Sequence, residues 1–207
     1  IFGANSPTAQ LLIHKLLDQP KNDIIAMVRE MNPKLIEKPG LKYLKYQLHE
    51  LNEHSDALVD AAVWISFIGA SSLMKARKVT TLYSYAAKSI ITAAKKNNPK
   101  RVIWISSSGV VEQPNDGFIF KRILKPLFLE NMYKDMLVME ELIQKSDLNY
   151  TIVRPPYLTQ GTTIQKVRAQ EYFFVDDKSL NRLSLALFLK EELISEKWKQ
   201  KIVAVSS

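Results

Sequence analysis

Short apolar runs alternate with longer segments of helical periodicity along the first 155 residues of the chain. A β-branched run bounded by polar residues predicts a buried strand, and apolar side chains three and four residues apart predict a helix with one buried face. The predicted strands are DIIAMV (23–28), LKYLKYQL (41–48), AAVWISFIG (61–69), RVIWISSSG (101–109) and NYTIVRPP (149–156). The predicted helices cover 7–19, 51–60, 78–97 and 132–146.

This alternation predicts an α/β fold, a doubly wound parallel sheet of the Rossmann type with helices on both faces. After Pro156 the pattern loosens, and VRAQEYFFV (167–175), a helix at 180–195 and the strand IVAVS (202–206) complete the chain. We expect one domain over 1–207, in which 155–207 forms a smaller C-terminal extension.

Sheets of this class bind their ligands beyond the carboxyl ends of the strands, where the strand order reverses. The loops in that position are 3–9, 29–34, 69–75, 106–113 and 155–163.

The opening stretch FGANSPTA has two possible meanings. Gly3 permits a sharp turn after a strand, and Ser6 followed by Pro7 is typical of the first residues of a helix. Strand, turn and helix form the context of a glycine-rich phosphate loop, yet Ser6 and Ala9 stand where the second and third glycines are expected. The stretch is either a degenerate phosphate-binding loop or a well-capped helix start.

Arg29 follows the second predicted strand, where an NAD site usually places an acidic residue on the ribose. An arginine there suits the 2′-phosphate of NADP, because its guanidinium offers two hydrogen bonds and a fixed charge. Lys34 would add a second charge. The alternative is an ordinary exposed arginine in a loop.

The composition of the chain disfavours some classes of binding partner and some locations in the cell. The net charge is +8, but the basic residues are dispersed and lack interleaved aromatic residues, which disfavours a nucleic-acid partner. The chain has no cysteine, which excludes disulfides and thiolate metal sites and fits a cytoplasmic protein. No apolar run is long enough to span a membrane, so we expect no membrane-spanning segment. Because the chain begins inside an apparent strand, we expect further residues upstream.

Two other motifs are weaker. HELNEH (49–54) is similar to a zinc signature, but its histidines are five residues apart and would lie roughly 140° apart around a helix. We therefore predict no metal.

SSSGVV (106–111) follows a buried strand and offers hydroxyls, yet a serine nucleophile needs a histidine base and a nucleophile elbow, and neither is visible. A small-residue loop that lets a ligand approach is the simpler interpretation.

The segment YKDMLVMEELIQKSDLNYTIVRPPYLTQG (133–161) resembles the NAD(P)H-binding, NmrA-like branch of the atypical short-chain dehydrogenases/reductases, which includes biliverdin and flavin reductases. The matching positions are Tyr133, Asp135, Glu140, Ser146, Leu148, 151–156, Leu158, Thr159 and Gly161. RVIWISSSGVV matches the family strand that brings the active-site serine, and 180–189 is similar to a late family helix.

The resemblance implies NADPH as cofactor. In the family's G-A-T-G-x-T-G loop, Gly3, Ala4 and Thr8 match, whereas Asn5, Ser6 and Ala9 depart. A Cβ at Ser6 is expected to intrude on the pyrophosphate or to strain the backbone. The Ser6 hydroxyl can compensate, and the helix N-terminus still offers free N–H groups. With the resemblance, we therefore expect the opening stretch to be both a capped helix start and a site that holds phosphate. The implied cofactor contacts are Gly3, Asn5, Ser6, Thr8, Ala9, Arg29, Lys34, Leu48, Gly69, Ser106 and Pro155.

The resemblance also limits the chemistry. Alignment on Glu140 places the superfamily's tyrosine and lysine on Met132 and Met136, whose thioethers cannot relay protons. Hydride transfer to a flavin or a quinone is still possible without this pair, because the cofactor supplies the difficult step. Ser107, or failing that Ser108, is the expected hydrogen-bonding or proton-relay group. The implied acceptor-pocket residues are Pro156, Tyr157, Leu158 and Tyr133. The alternatives are a non-catalytic redox sensor that reports the dinucleotide to a protein partner, and a scaffold whose cofactor site is lost.

Overall fold

The computed structural model describes residues 1–19, 22–33, 35–52, 55–70, 80–111, 129–174 and 179–207. Lys34, His54 and the later parts of two predicted loops, 71–75 and 112–113, lie outside the described residues.

The strands predicted between residues 23 and 156 are present in that order with shorter bounds, and the last strand begins one residue earlier than predicted. Two strands of two residues each were not predicted. The described part of the chain contains nine strands. They are β1 (Ile24–Val28), β2 (Leu41–Lys45), β3 (Val63–Ser66), β4 (Arg101–Ile105), β5 (Tyr150–Arg154), β6 (Leu158–Thr159), β7 (Arg168–Glu171), β8 (Leu180–Asn181) and β9 (Lys201–Ser206). The helices are α1 (Pro7–Leu17), α2 (Leu82–Asn97), α3 (Glu130–Gln144) and α4 (Arg182–Ser195).

The opening residues join two groups of strands into one sheet. β1 pairs in parallel with β2, and β3, β4, β5 and β9 pair in parallel with one another, with β7 antiparallel at the edge. Phe2 forms parallel bridges to Met27 in β1 and to Ser66 in β3. The order is therefore β2–β1–opening segment–β3–β4–β5–β9–β7, and the predicted doubly wound α/β fold is confirmed.

Hydrophobic residues of the central strands face two helical layers. Trp104 packs with Ile90 of α2 and Ile143 of α3 in one cluster. The neighbouring Ile103 packs with Leu12 of α1 and with α4 in another. Successive side chains of a strand point to opposite faces, so β4 is covered on both sides, as its unbroken apolar run predicts.

The predicted helix at 51–60 is wrong. The described residues there and just before form two short 3₁₀ turns, Leu48–Glu50 and Ser55–Leu58. Leu51 and Leu58 are buried in the core, so their apolar spacing reflects two separate anchors and not one helical face. The predicted strand at 41–48 accordingly ends at Lys45.

His49 lies in a 3₁₀ turn and not in an α-helix, so the roughly 140° separation expected for the two histidines of HELNEH does not apply. Within the described ranges, no group of three His, Asp or Glu side chains is arranged to hold a metal. No described helix is both long and apolar enough to cross a membrane.

Two buried ion pairs tie helices to the sheet. Arg154 of β5 donates from Nε to Glu140 Oε1 of α3 at 3.0 Å, and it also donates to the Tyr172 carbonyl oxygen at 3.3 Å. Arg101 of β4 pairs with Glu192 of α4. All four side chains are almost fully buried, so each charge depends on its partner.

We expect Glu140→Ala to lower the free energy of unfolding by about 3–5 kcal/mol, because it leaves the Arg154 guanidinium buried without its carboxylate. Glu141→Ala is the matched control, since its pair with Lys145 is exposed and should contribute little. Urea unfolding monitored by circular dichroism measures both variants. Equal losses would contradict this role for the buried pair.

Candidate functional site

Gly3 forms a turn that only glycine accommodates. Its φ is +67°, and a Cβ there would lie 2.8 Å from the backbone carbonyl carbon of Phe67. The Ser6 N–H donates to the Gly3 carbonyl oxygen at 3.0 Å and closes the turn. The turn therefore lies directly against the backbone that follows β3, at the point where the strand order reverses.

Ser6 caps helix α1. Its Oγ accepts the Ala9 N–H at 3.2 Å, and its backbone is extended, with φ −68° and ψ 145°. The backbone strain expected at this position is therefore absent, because an N-cap residue adopts this ordinary conformation. The Thr8 and Ala9 side chains are buried between helix and sheet.

Two backbone donors remain at this helix start. Among the described residues, the Asn5 and Thr8 amides have no hydrogen-bond acceptor. Free N–H groups and the positive end of the helix dipole favour an anion at such a terminus.

The glycine turn is linked to the loop after β1. Asn5 Nδ2 donates to the Glu30 carbonyl oxygen at 3.0 Å. The Arg29 side chain is 66% exposed, and its Nε lies 3.8 Å from Glu30 Oε1. Leu48 begins the turn after β2 and packs, half-buried, against the core cluster that contains Tyr46. Arg29 and Leu48 thus lie on the β1–β2 side of the glycine turn.

The loops after β4 and β5 are bonded to each other. Ser106 N–H donates to the Val153 carbonyl oxygen at 2.8 Å, and Ser108 N–H donates to that of Pro155 at 2.9 Å. Ser107 Oγ accepts the Gly109 N–H at 3.3 Å. These bonds bring the predicted serines and Pro155 to one place.

The Ser106 hydroxyl is the unusual member of this group. It is buried, and it has no hydrogen-bond partner in the described part of the chain. A buried hydroxyl is ordinarily bonded, so this one marks a position where a ligand atom would be favourable.

Tyr133 of α3 packs onto the serine turn, because a Cβ added at Gly109 would collide with the Tyr133 ring. Met136 is buried, and Met132 packs half-buried against the same core cluster. The two methionines, which the resemblance aligned with a tyrosine and a lysine, therefore form part of the hydrophobic core. Neither offers a titratable group.

The remaining predicted acceptor residues differ in exposure. Pro156 is buried, Leu158 is half-buried in β6, and Tyr157 is 80% exposed. The Tyr157 carbonyl oxygen accepts the Leu180 N–H at 3.2 Å, which joins this segment to β8.

Sequence reasoning missed the contacts of Tyr83 and Asp135. Ala70 N–H donates to Tyr83 Oη at 3.0 Å, one residue beyond Gly69. Tyr83 N–H donates to Asp135 Oδ2 at 2.8 Å. Burial raises the pKa of the Tyr83 hydroxyl, the Ala70 N–H opposes this shift, and the Asp135 carboxylate adds to it. Asp135 stood out only as a family match, and nothing in the sequence connects it to Tyr83.

A cavity of about 560 Å³ lies at the opposite, amino ends of the strands. Its lining includes Ile24, Val63, Trp64 and Leu193 and none of the predicted site residues. It is therefore not the place where a sheet of this class binds its cofactor.

A model of the NAD(P)H-binding protein family matches residues 3–196. The chain belongs to this NAD(P)H-binding family. The match spans the glycine turn, the serine turn and the loop after β5, which the structure places along the carboxyl edge of one sheet. No curated protein sequence matches the chain significantly.

Solved structures share the fold of this NAD(P)H-binding protein. A short-chain dehydrogenase/reductase of Veillonella parvula in complex with NADP has a TM-score of 0.80 and 18% identity, over 100% of this chain and 92% of that chain. A Bacillus halodurans protein assigned as an NAD-dependent epimerase/dehydratase has a TM-score of 0.80 and 23% identity, with the same coverage. A Streptococcus pneumoniae protein assigned as an NADH-flavin reductase has a TM-score of 0.77 and 16% identity, over 100% of this chain and 97% of that chain. At these identities the likeness establishes the fold.

We expect Gly3→Ala to destabilise the protein by at least about 1–3 kcal/mol, the usual energy of a non-glycine residue at such a φ. Gly69→Ala is the control, because its Cβ would lie 3.5 Å from its nearest neighbour, Tyr83 Oη, an ordinary contact. It should change the stability by less than about 0.5 kcal/mol. Thermal and urea unfolding measure both, and a stable Gly3→Ala variant would contradict the assigned turn.

Proposed function

We propose that this protein binds NADPH and passes its hydride to a small flavin- or quinone-like acceptor. The observation that carries the proposal is the pair of free amides, Asn5 and Thr8, at the start of α1, which stands at the switch point of an NAD(P)H-binding chain. We further propose that residues 1–207 form one domain, in which 155–207 contribute the part that contacts the hydride acceptor. We also propose that the protein acts in the cytoplasm.

The pyrophosphate would lie on the glycine turn. Gly3 brings the backbone close, and the Asn5 and Thr8 amides would donate to phosphate oxygens. Ser6 Oγ already accepts the Ala9 N–H, so its hydroxyl proton stays available for a phosphate oxygen. Ala9 would contribute through its small buried side chain, which lets α1 approach the sheet.

The adenosine half would extend over β1 and β2. Arg29 is exposed and only loosely paired, so it can turn its guanidinium to a 2′-phosphate. Lys34 is proposed for the same phosphate on sequence grounds alone. Leu48 would flank the adenine.

The nicotinamide half would then lie over β3, β4 and β5, near Gly69, Ser106 and Pro155. The cofactor supplies the hydride chemistry, and the chain positions and shields it. Ser107 Oγ accepts the hydrogen bond of the Gly109 N–H, so the hydroxyl proton of Ser107 can be donated to the flavin or quinone as that molecule is reduced. Ser108 is the second candidate for this role. We propose Tyr133, Pro156, Tyr157 and Leu158 as the residues that shape the acceptor pocket.

The core position of Met132 and Met136 favours one other function. Without a tyrosine–lysine pair, the protein could bind the dinucleotide and signal its redox state to a protein partner. A flavin-like acceptor is favoured over this sensor by the fold shared with a protein assigned as an NADH-flavin reductase.

We expect NADPH to bind at least tenfold more tightly than NADH, because a charge-assisted hydrogen bond contributes roughly 1.5–3 kcal/mol. Arg29→Ala should remove most of this preference and leave NADH affinity nearly unchanged. Isothermal titration at constant salt measures both. Lys100→Ala, which removes an exposed charge at the amino edge of the sheet, should keep the preference. Equal affinities in the unmutated protein would refute the role of Arg29.

The acceptor is tested by NADPH oxidation with FMN, riboflavin or a quinone, beside simple ketones. We expect turnover with the first group only, since a ketone needs a proton relay that the two methionines cannot provide. Ser107→Ala should slow turnover by less than the ~10²–10⁴-fold loss of a general acid, and Ser108→Ala should slow it less.

Tight NADPH binding with no turnover on any of these acceptors would favour the sensor. Rapid ketone reduction would refute the proposed chemistry.

A further inference from the structure

We infer that Tyr83 is a positioning residue, which fixes residues 67–70, the described start of the loop after β3, against the nicotinamide half of the cofactor. The inference rests on the proposed function. It assigns to α2 a part in cofactor binding, although the described contacts of Tyr83 are made with the protein itself.

Residues 67–70, the described start of the loop after β3, are held at their first and last residues. At its start, the Phe67 backbone lies against Gly3, so it follows the glycine turn. At Ala70 the backbone N–H donates to Tyr83 Oη at 3.0 Å. Tyr83 is only 3% exposed, which keeps its ring in one position. Gly69 thus lies between two anchored residues, Phe67 and Ala70.

Tyr83 is in turn fixed by a capping interaction from another helix. Thr81, the N-cap residue of α2, makes no side-chain capping bond. Asp135 of α3 replaces it, since Oδ2 accepts the Tyr83 N–H at 2.8 Å and Oδ1 accepts the Ser84 N–H at 3.2 Å. A buried carboxylate at a helix N-terminus is stabilised by both bonds and by the helix dipole. The chain of contacts runs from α3 through Tyr83 to Ala70.

The position of the loop in the sheet decides which half of the cofactor it meets. Arg29 and Leu48 follow β1 and β2, on one side of the opening segment. The loop after β3 lies on the other side, next to the serine turn after β4. A change in this loop should therefore affect the nicotinamide half and leave the adenosine half alone.

The test compares Tyr83→Phe with Tyr85→Phe. Both remove one hydroxyl from α2, but Tyr85 is 45% exposed. Titration of the unmutated protein and both variants with NADP⁺ and with adenosine 2′,5′-bisphosphate separates the two halves of the cofactor. We expect Tyr83→Phe to weaken NADP⁺ binding about 3- to 10-fold, the effect of one hydrogen bond, with the bisphosphate unchanged. Tyr85→Phe should alter neither.

Hydrogen exchange provides a readout in the free protein. Tyr83→Phe removes the acceptor of the Ala70 amide, which should then exchange several-fold faster, whereas Tyr85→Phe should leave its rate unchanged. Asp135→Asn keeps a side-chain oxygen for the cap and should produce a weaker version of the same pattern. Thermal unfolding checks that every variant is folded.

An unchanged Ala70 exchange rate in Tyr83→Phe would overturn the inference. An equal loss of affinity for both ligands would also overturn it, because a general loss of folded protein does not distinguish the two halves of the cofactor. If the unmutated protein binds neither nicotinamide cofactor, the proposed function fails and the role in cofactor binding fails with it. Faster Ala70 exchange would then still establish the anchoring contact.

Discussion

The backbone of the opening segment holds the two halves of the sheet together. Phe2 N–H donates to the Ile65 carbonyl oxygen at 2.8 Å, its own carbonyl oxygen accepts the Phe67 N–H at 2.9 Å, and the Ile1 carbonyl oxygen accepts the Met27 N–H at 2.8 Å. Because backbone N–H and C=O groups inside a sheet must be paired, this segment joins β1 to β3 by bonding to both. The glycine turn follows at once, which fixes its place at the switch point of the sheet.

Helix α3 connects this framework to the proposed site. One side carries Glu140, whose buried pair with Arg154 sets the helix against β5. Nearer the start of the same helix, Asp135 caps α2 and Tyr133 packs onto the serine turn. Because a buried charge requires its partner in place, the position of α3 is well determined, and the residues it carries toward the site are placed with it.

Two residues that depart from the pattern of the resembled family have ordinary structural roles here. Ser6 stands where that pattern has a glycine, and it is unstrained because it serves as the N-cap of α1. Met136 lies in the hydrophobic core and Met132 packs against it, at the positions that the resemblance aligned with a lysine and a tyrosine. Neither thioether can relay a proton.

The sequence by itself determined the alternation of strands and helices, the burial of β4 on both faces, the Gly3 turn and the Ser6–Pro7 helix start. These features depend on periodicity and on backbone preferences, which act over a few residues. Tertiary structure alone decided that 51–60 does not form one helix, because Leu51 and Leu58 enter the core separately. It also decided that Asp135 caps a helix start 52 residues away, where it accepts the Tyr83 N–H. The same tyrosine accepts the Ala70 N–H on its hydroxyl oxygen. No local pattern encodes such contacts, since they exist only once the helices have packed on the sheet.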